Sequence, residues 1–534
     1  MISLTPDDGR EIGNNLWIEG AWEYQDIFTP ELKSLILKLS NRFSPKRKTL
    51  LENRKNRQAS YDAGALPTYL NSHEEALSPN WGVAPIPTDY KCRRVEITGP
   101  VSDPKMVINM LTRNKEGLRA DTAMLDFEDS MKPDWENVTT GYKNLIQAVD
   151  GTLEFNQKDK VYKLDKNDMP GIMVRVRGLH MDEKKVLVRG KPISAGLLDL
   201  IVCTFHIANK LIAQGKTPKF YIPKCEHYEE ARWWNELLFS LEEELGLNPG
   251  TLKVTLLIET LPASFQMEEI LFEIKEHIIG MNVGRWDKIF SDIKILRNHP
   301  ERISPDRSTI NMSKFWMDNY AKRLIKICHS RGAFAIGGMS AFTPGKTPEI
   351  IEEQTTKVKN DKDYEFQIGH DGCWISHPYF LKTALGSFPK TNQVDKKLED
   401  FPKFPDLLMD GKGPKTEEGL RKNIRVGIAY LEGWLRGIGC VSFDNLMEDL
   451  ATLEISRVQT WQWLNHQITL DSGEKVTMPL VRNLFSQEFK KICDELEEKL
   501  DKNEFEKARD SYHRGAMAAE EIFLTKDFKE FLTT

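Results

Sequence analysis

From about residue 93 to residue 384, short apolar or β-branched runs alternate with helix-length amphipathic stretches, and nothing else in the chain constrains the fold as strongly. The strand candidates are residues 95–99, 123–128, 171–177, 219–223, 254–259, 278–284, 333–337 and 372–376. Helix candidates lie between them, among them 194–214, 227–245, 263–277 and 312–330. Eight strands alternating with helices predict an α/β fold, a parallel (β/α)8 TIM barrel. An open doubly wound sheet has the same periodicity, so the pattern by itself leaves both architectures standing.

The flanks read differently. Residues 1–92 form an N-terminal helical segment, 93–384 the barrel, and 385–534 a C-terminal helical domain that closes the active site. Thr29-Pro30-Glu31 is a cap followed by proline at the first helical position, and Leu32, Leu35, Ile36 and Leu39 continue an apolar stripe. Ser44-Pro45 repeats that start signal and predicts a second, basic helix through Arg54, Lys55 and Arg57, with a solvated face. Residues 137–166 read as an insertion containing a small hairpin over 151–163. Beyond 385, residues 417–435, 446–466 and 480–500 read as helices.

Composition excludes several function classes. The 534 residues carry 74 Lys+Arg against 80 Asp+Glu, a net charge of -6, which gives no electrostatic footprint for nucleic acid. No apolar run is expected to span a membrane. Met1–Asp8 lacks the basic and apolar regions of a signal peptide, and the end at Thr534 carries no peroxisomal tripeptide. Seven scattered cysteines read as reduced thiols, so the expected location is cytoplasmic.

Polar residues gather at the C-terminal ends of the predicted strands, where barrel enzymes build their sites. The second strand ends in Leu125-Asp126-Phe127-Glu128-Asp129-Ser130, and two-residue spacing puts Asp126 and Glu128 on one face. The third ends in Val174-Arg175-Val176-Arg177, which by the same rule puts both guanidiniums on one face. The fifth ends in Leu257-Ile258-Glu259-Thr260, and the sixth runs into Gly284-Arg285-Trp286-Asp287. Ion pairs closing the barrel top explain any one of these acids. Their shared position at strand ends favours a single site. Carboxylates without a His/Cys cluster suit a hard cation, and Mg2+ takes one or two protein carboxylates plus water and substrate. Glu259 and Asp287 are the expected ligands, with Asp126 and Glu128 holding metal waters or orienting Arg175.

The run from Lys275 to Phe290, Lys-Glu-His-Ile-Ile-Gly-Met-Asn-Val-Gly-Arg-Trp-Asp-Lys-Ile-Phe, resembles the malate synthase signature. Residues 93–100, 126–130, 174–180, Gly337-Gly338-Met339, 370–378 and Met447-Glu448-Asp449 also resemble the A type of that family, and the likeness covers nearly the whole chain. Met281 stands where leucine is usual, and Lys288 where tyrosine is usual. The resemblance implies a Mg2+-dependent condensation of acetyl-CoA with glyoxylate, an acyl-transferring reaction of the glyoxylate bypass. It implies Arg175 as the catalytic arginine, Asp449 as the catalytic base, and Glu259 and Asp287 as metal ligands. The backbone of Gly284, Arg285, Trp286 and Asp287 would cradle glyoxylate, and Pro378 would line the CoA channel. Local pattern reads Asp449 only as a surface or helix-starting acid. The alternatives are a citrate-lyase-β-like CoA-thioester lyase, which would lack the C-terminal helices, and a catalytically silent member of the fold.

Overall fold

The computed structural model describes residues 15–70, 73–158 and 160–533; Met1–Asp8 and Thr534, read above for targeting signals, lie outside them. Eight strands form a closed barrel: β1 (Val95–Pro100), β2 (Thr122–Asp126), β3 (Gly171–Arg175), β4 (Lys219–Ile222), β5 (Lys253–Ile258), β6 (Ile278–Val283), β7 (Phe334–Ser340) and β8 (Gly372–Ile375). Every neighbouring pair is parallel, and β8 pairs with β1 to close the ring. Helices cover the outside, so each strand is buried on both faces, which is why the strands read as near-continuous apolar runs. Met124, Met173, Tyr221, Leu257, Ile279, Ile336 and Trp374 fill the interior.

A polar layer crosses this interior. Arg93 Nε donates to Glu96 Oε1 at 2.6 Å and Nη2 to Tyr221 Oη at 2.9 Å. The Trp374 indole Nε1 donates to Glu96 Oε2 at 2.9 Å. Buried polar groups are tolerated when paired in this way, and here the pairing fixes the plane of Trp374 beneath the barrel mouth.

The structure revises several readings of the sequence. First, the long helix of the N-terminal segment, Pro30–Asp62, runs through Pro45 instead of restarting there. An internal proline costs about 3 kcal/mol. Packing of Leu32, Leu35, Ile36, Leu39, Phe43 and Leu50 into the core offsets it. Trp233 also donates to the Phe43 carbonyl at 3.1 Å. Its basic face is only partly solvated: Arg47 is buried against the Leu179 and Met181 carbonyls, and Arg54 against Glu230.

Second, residues 137–166 are no simple insertion, because Trp135–Asp150 is the helix that returns the chain from β2 to β3. The hairpin follows it, as Glu154–Gln157 paired with Lys160–Lys163. Third, the helix expected over 263–277 is two short ones, Leu261–Phe265 and Met267–Glu273, broken at Gln266. Fourth, among the described residues one helix, Ala195–Ala213, is long and apolar enough to cross a membrane, contrary to the composition reading. It is mostly buried and packs in the barrel shell.

Beyond the barrel, helices Glu417–Leu435, Leu450–Asn465, Met478–Glu497 and Lys502–Phe523 share their own apolar core. The second of these is buried along nearly its whole length and packs against Arg285–Ile295, the helix that follows β6. It begins later than residue 446, because Leu446–Glu448 pairs with Val441–Phe443 as a short hairpin. That hairpin delivers Asp449 to the first turn of the buried helix.

Candidate active site

At the C-terminal ends of the strands lies a pocket with about 350 Å3 of empty space. Arg175 from β3, Glu259 after β5, Asp287 after β6, Trp374 from β8 and Asp449 from the C-terminal region all line it. Asp129, Gly284, Arg285 and Trp286 complete its polar wall.

Arg175 is held in a fork. Its Nε and Nη2 each donate to Asp126, both at 2.6 Å, and Nη1 stands 3.5 Å from Glu128 and 3.6 Å from Asp129. Its guanidinium faces the Trp374 ring, 5.6 Å from the centroid. Asp126 also accepts from the Glu128 and Ser130 backbone N–H groups, so its position is over-determined. Arg177 does not join this group. β3 ends at Arg175, the two-residue alternation stops there, and Arg177 pairs with Asp199 and Glu183 instead.

Gly284 caps helix Arg285–Ile295 with no side-chain acceptor, and residues 284–287 line the pocket, so the N-terminus of this helix opens there. Glycine is needed here, because an added Cβ would stand 2.5 Å from Glu259 Cβ and 2.6 Å from its Oε2. The Arg285 side chain turns away to Asp361, at 2.6 Å. Lys288, the departure from the signature, is fully buried and donates to Asp292 at 2.5 Å, so its charge is paired within its own helix. Met281 is an ordinary buried residue of β6.

Asp449 is the N-cap of Leu450–Asn465, accepting from Thr452 N at 3.3 Å while Thr452 Oγ1 accepts from Asp449 N. The helix-starting reading was therefore correct as local structure. Asp449 is also buried at the pocket, and burial followed by the nearby Asp129 charge pushes its carboxyl up to about 7. Burial also raises Glu128, Asp287 and Glu259, with the Asp129 charge adding to each. Burial works against ionisation at Asp129 too, but Lys224 and Arg175 hold it below the usual carboxylate range.

Two residues of this cluster escaped sequence reasoning. Asp129 lies in the quoted run after β2 but received no role. Lys224 follows Pro223 at the end of β4, and its ammonium contacts Glu128 at 2.6 Å, Asp129 at 2.7 Å and Asp287 at 3.3 Å. The strand-end rule that found the acids points to this position as well.

The donor set suits a hard divalent cation. Asp126, Glu128, Asp129, Glu259, Asp287 and Asp449 gather around Arg175 and Lys224, while Arg285 in the same wall is paired with Asp361. Buried oxygens of Glu128, Asp129 and Asp287 lack hydrogen-bond partners. Buried carboxylates need compensating charge. Among the described residues, no three His, Cys, Asp or Glu side chains form a closed metal cage. Two carboxylates completed by water and substrate are the usual Mg2+ arrangement.

A second cavity, about 1360 Å3 of empty space, adjoins the first and shares Arg285 and Trp286 with it. Arg307, Lys357 and Lys422 supply cations to its wall, beside Met312, Met317 and Phe342. Pro378 opens the turn after β8, half-buried, and lines neither cavity.

Comparison with known proteins gives concordant matches along the chain. Residues 20–75 match the family profile "Malate synthase, N-terminal domain", 171–406 match "Malate synthase, TIM barrel domain", and 414–534 match "Malate synthase, C-terminal". The chain is 44% identical over 519 residues to malate synthase A of Escherichia coli, covering 95% of each protein. It is 42% identical over 535 residues to malate synthase of Myxococcus xanthus, covering 98% of this chain and 96% of that one. A solved magnesium/glyoxylate complex of Haloferax volcanii malate synthase aligns at TM-score 0.42 and 15% identity, over 78% of this chain and 98% of that one.

Proposed function

The chain belongs to the malate synthase family, and we propose that its barrel mouth condenses acetyl-CoA with glyoxylate and hydrolyses the thioester, giving malate and CoA. The observation that carries this reading is a single pocket lined by Asp449 together with Arg175, Glu259 and Asp287. A base, a fixed cation and two metal-ligating acids are the groups a Claisen-type condensation requires.

Asp449 removes a proton from the acetyl methyl group. A carboxyl raised to about 7 is a stronger base than an ordinary carboxylate yet is still substantially ionised at neutral pH. Arg175, its guanidinium fixed by Asp126 and lining the pocket, supplies positive charge to the developing enolate oxygen and needs no reorganisation as charge appears. Glu259 and Asp287 would hold Mg2+, which when bound supplies Lewis-acid polarisation of the glyoxylate aldehyde. The N–H groups opening helix Arg285–Ile295 receive the glyoxylate carboxylate. The enolate then attacks the aldehyde carbon, and water cleaves the resulting malyl-CoA.

The larger adjoining cavity is the proposed path for acetyl-CoA, since its cations suit phosphates and it opens onto Trp286 at the pocket. Burial of helix Leu450–Asn465 against the barrel excludes water from the base. A place in the glyoxylate bypass and a cytoplasmic location, in keeping with seven unpaired cysteines, belong to the same reading. The test is thiol release monitored with each substrate alone and with both. Release that needs acetyl-CoA, glyoxylate and Mg2+ together supports the function. A silent protein, or one cleaving acetyl-CoA without glyoxylate, contradicts it.

A further inference from the structure

Lys224 has no part in the chemistry above, yet one residue touches both candidate metal ligands. Its backbone N–H donates to Glu259 Oε1 at 2.7 Å, and its ammonium stands 3.3 Å from Asp287 Oδ1. The ammonium lies closer still to Glu128 and Asp129, at 2.6 and 2.7 Å. We propose that Lys224 is a built-in counter-cation of the carboxylate cluster, holding Glu128, Asp129 and Asp287 together before a divalent cation binds and weakening that cation's hold. The inference rests on the Mg2+ assignment made above.

The placement is built into the fold. Lys224 has φ 52°, in the left-handed region that residues with side chains rarely adopt. Such a conformation persists only where the surroundings over-determine it. Here Glu259 takes the N–H, and the Lys224 carbonyl accepts from Arg54 Nη2 at 2.7 Å. Arg54 is itself clamped by Glu230, at 2.7 Å from Nε and 2.6 Å from Nη2. The N-terminal helix therefore fixes the lysine from behind. Lys224 lies outside the lining of the substrate pocket, so it acts on the carboxylates and not on the reacting atoms.

Electrostatics sets the direction of the effect. A positive charge among the same carboxylates repels an incoming cation and competes for its ligands. It also prevents the gathered acids from driving one another apart when no metal is bound. A lysine with a merely structural role predicts the opposite sign for its removal, because displaced carboxylates bind a cation more weakly.

The experiment is calorimetric titration of the full chain with Mg2+ alone, comparing parent, Lys224→Met, Lys224→Gln and the double variant Lys224→Met/Glu128→Gln. Both single variants should bind Mg2+ more tightly, on the order of tenfold or more. The glutamine variant keeps an amide donor toward Glu128 and protects the test against loss of the fold. The double variant removes one charge of each sign and should return affinity toward the parental value. Parental binding with equal or weaker binding in the single variants overturns the inference. If the parent binds no Mg2+, the metal assignment itself fails and takes the inference with it.

Discussion

Arg175 and Asp126 face each other across the β2–β3 pair as opposed residues in register, joined by two parallel hydrogen bonds of 2.6 Å. The pairing uses Nε and Nη2 and leaves Nη1 directed toward Glu128 and Asp129. Lysine can keep the charge but not the fork. Arg175→Lys should therefore fold and bind Mg2+, with turnover reduced on the order of 100-fold or more. Steady-state turnover within a few-fold of the parent contradicts the role given to Arg175.

Asp287→Ala removes one of two anionic ligands and should weaken Mg2+ and glyoxylate binding together while leaving the barrel intact. Calorimetry with Mg2+ and circular dichroism check both parts. Undiminished Mg2+ affinity would sink the ligand assignment.

Gly284→Ala tests the close approach of helix Arg285–Ile295 to Glu259, where the new Cβ would meet Glu259 at 2.5 Å. Overpacking of this kind costs roughly 1–3 kcal/mol. The expected result is a lower melting temperature and a raised KM for glyoxylate, since either the ligand or the helix start must shift. Parental values for both would show that the pocket wall is looser than its geometry indicates.

Much of this was legible in the sequence. The predicted strand 254–259 is observed as Lys253–Ile258, and 372–376 as Gly372–Ile375, because strands buried on both faces appear as apolar runs with sharp polar ends. Glu259 stood out as an acid at the end of β5, and Asp287 as one just beyond β6. Pro45 was misread because a start signal is local, whereas the packing that carries the helix through it comes from distant residues such as Trp233. Asp449 was illegible except through resemblance, since the hairpin and buried helix that bring it to the barrel are tertiary features. Lys224 follows the strand-end rule as well, but a lone lysine after a strand usually points to solvent, and its three carboxylate contacts are tertiary.

The carboxylate cluster should contribute less and less stability to metal-free protein as pH rises. Glu128, Asp287, Glu259 and Asp449 have folded-state values above their ordinary ones, chiefly through burial. From about pH 4 upward these four carboxyls thus bind more protons in the folded state than in the unfolded one, so their own contribution to the slope of stability with pH is negative. For Asp449 that loss continues until pH passes about 7. Mg2+ competes with those protons, so its stabilising effect should grow over the same range. Melting temperatures in chelator and in Mg2+ across that range decide the point. A Mg2+ effect that shrinks with rising pH contradicts it.

Asp449→Asn separates proton abstraction from binding. Asparagine can still accept from Thr452 N, so the helix cap and the shape of the pocket should survive. An amide cannot take a methyl proton at neutral pH, and turnover should fall on the order of 100-fold or more. The direct measurement is hydrogen–deuterium exchange into the acetyl-CoA methyl group, with pyruvate in place of glyoxylate so that condensation cannot follow. The parent should exchange and Asp449→Asn should not, while both bind Mg2+ alike. Exchange at the parental rate in Asp449→Asn would contradict Asp449 as the base.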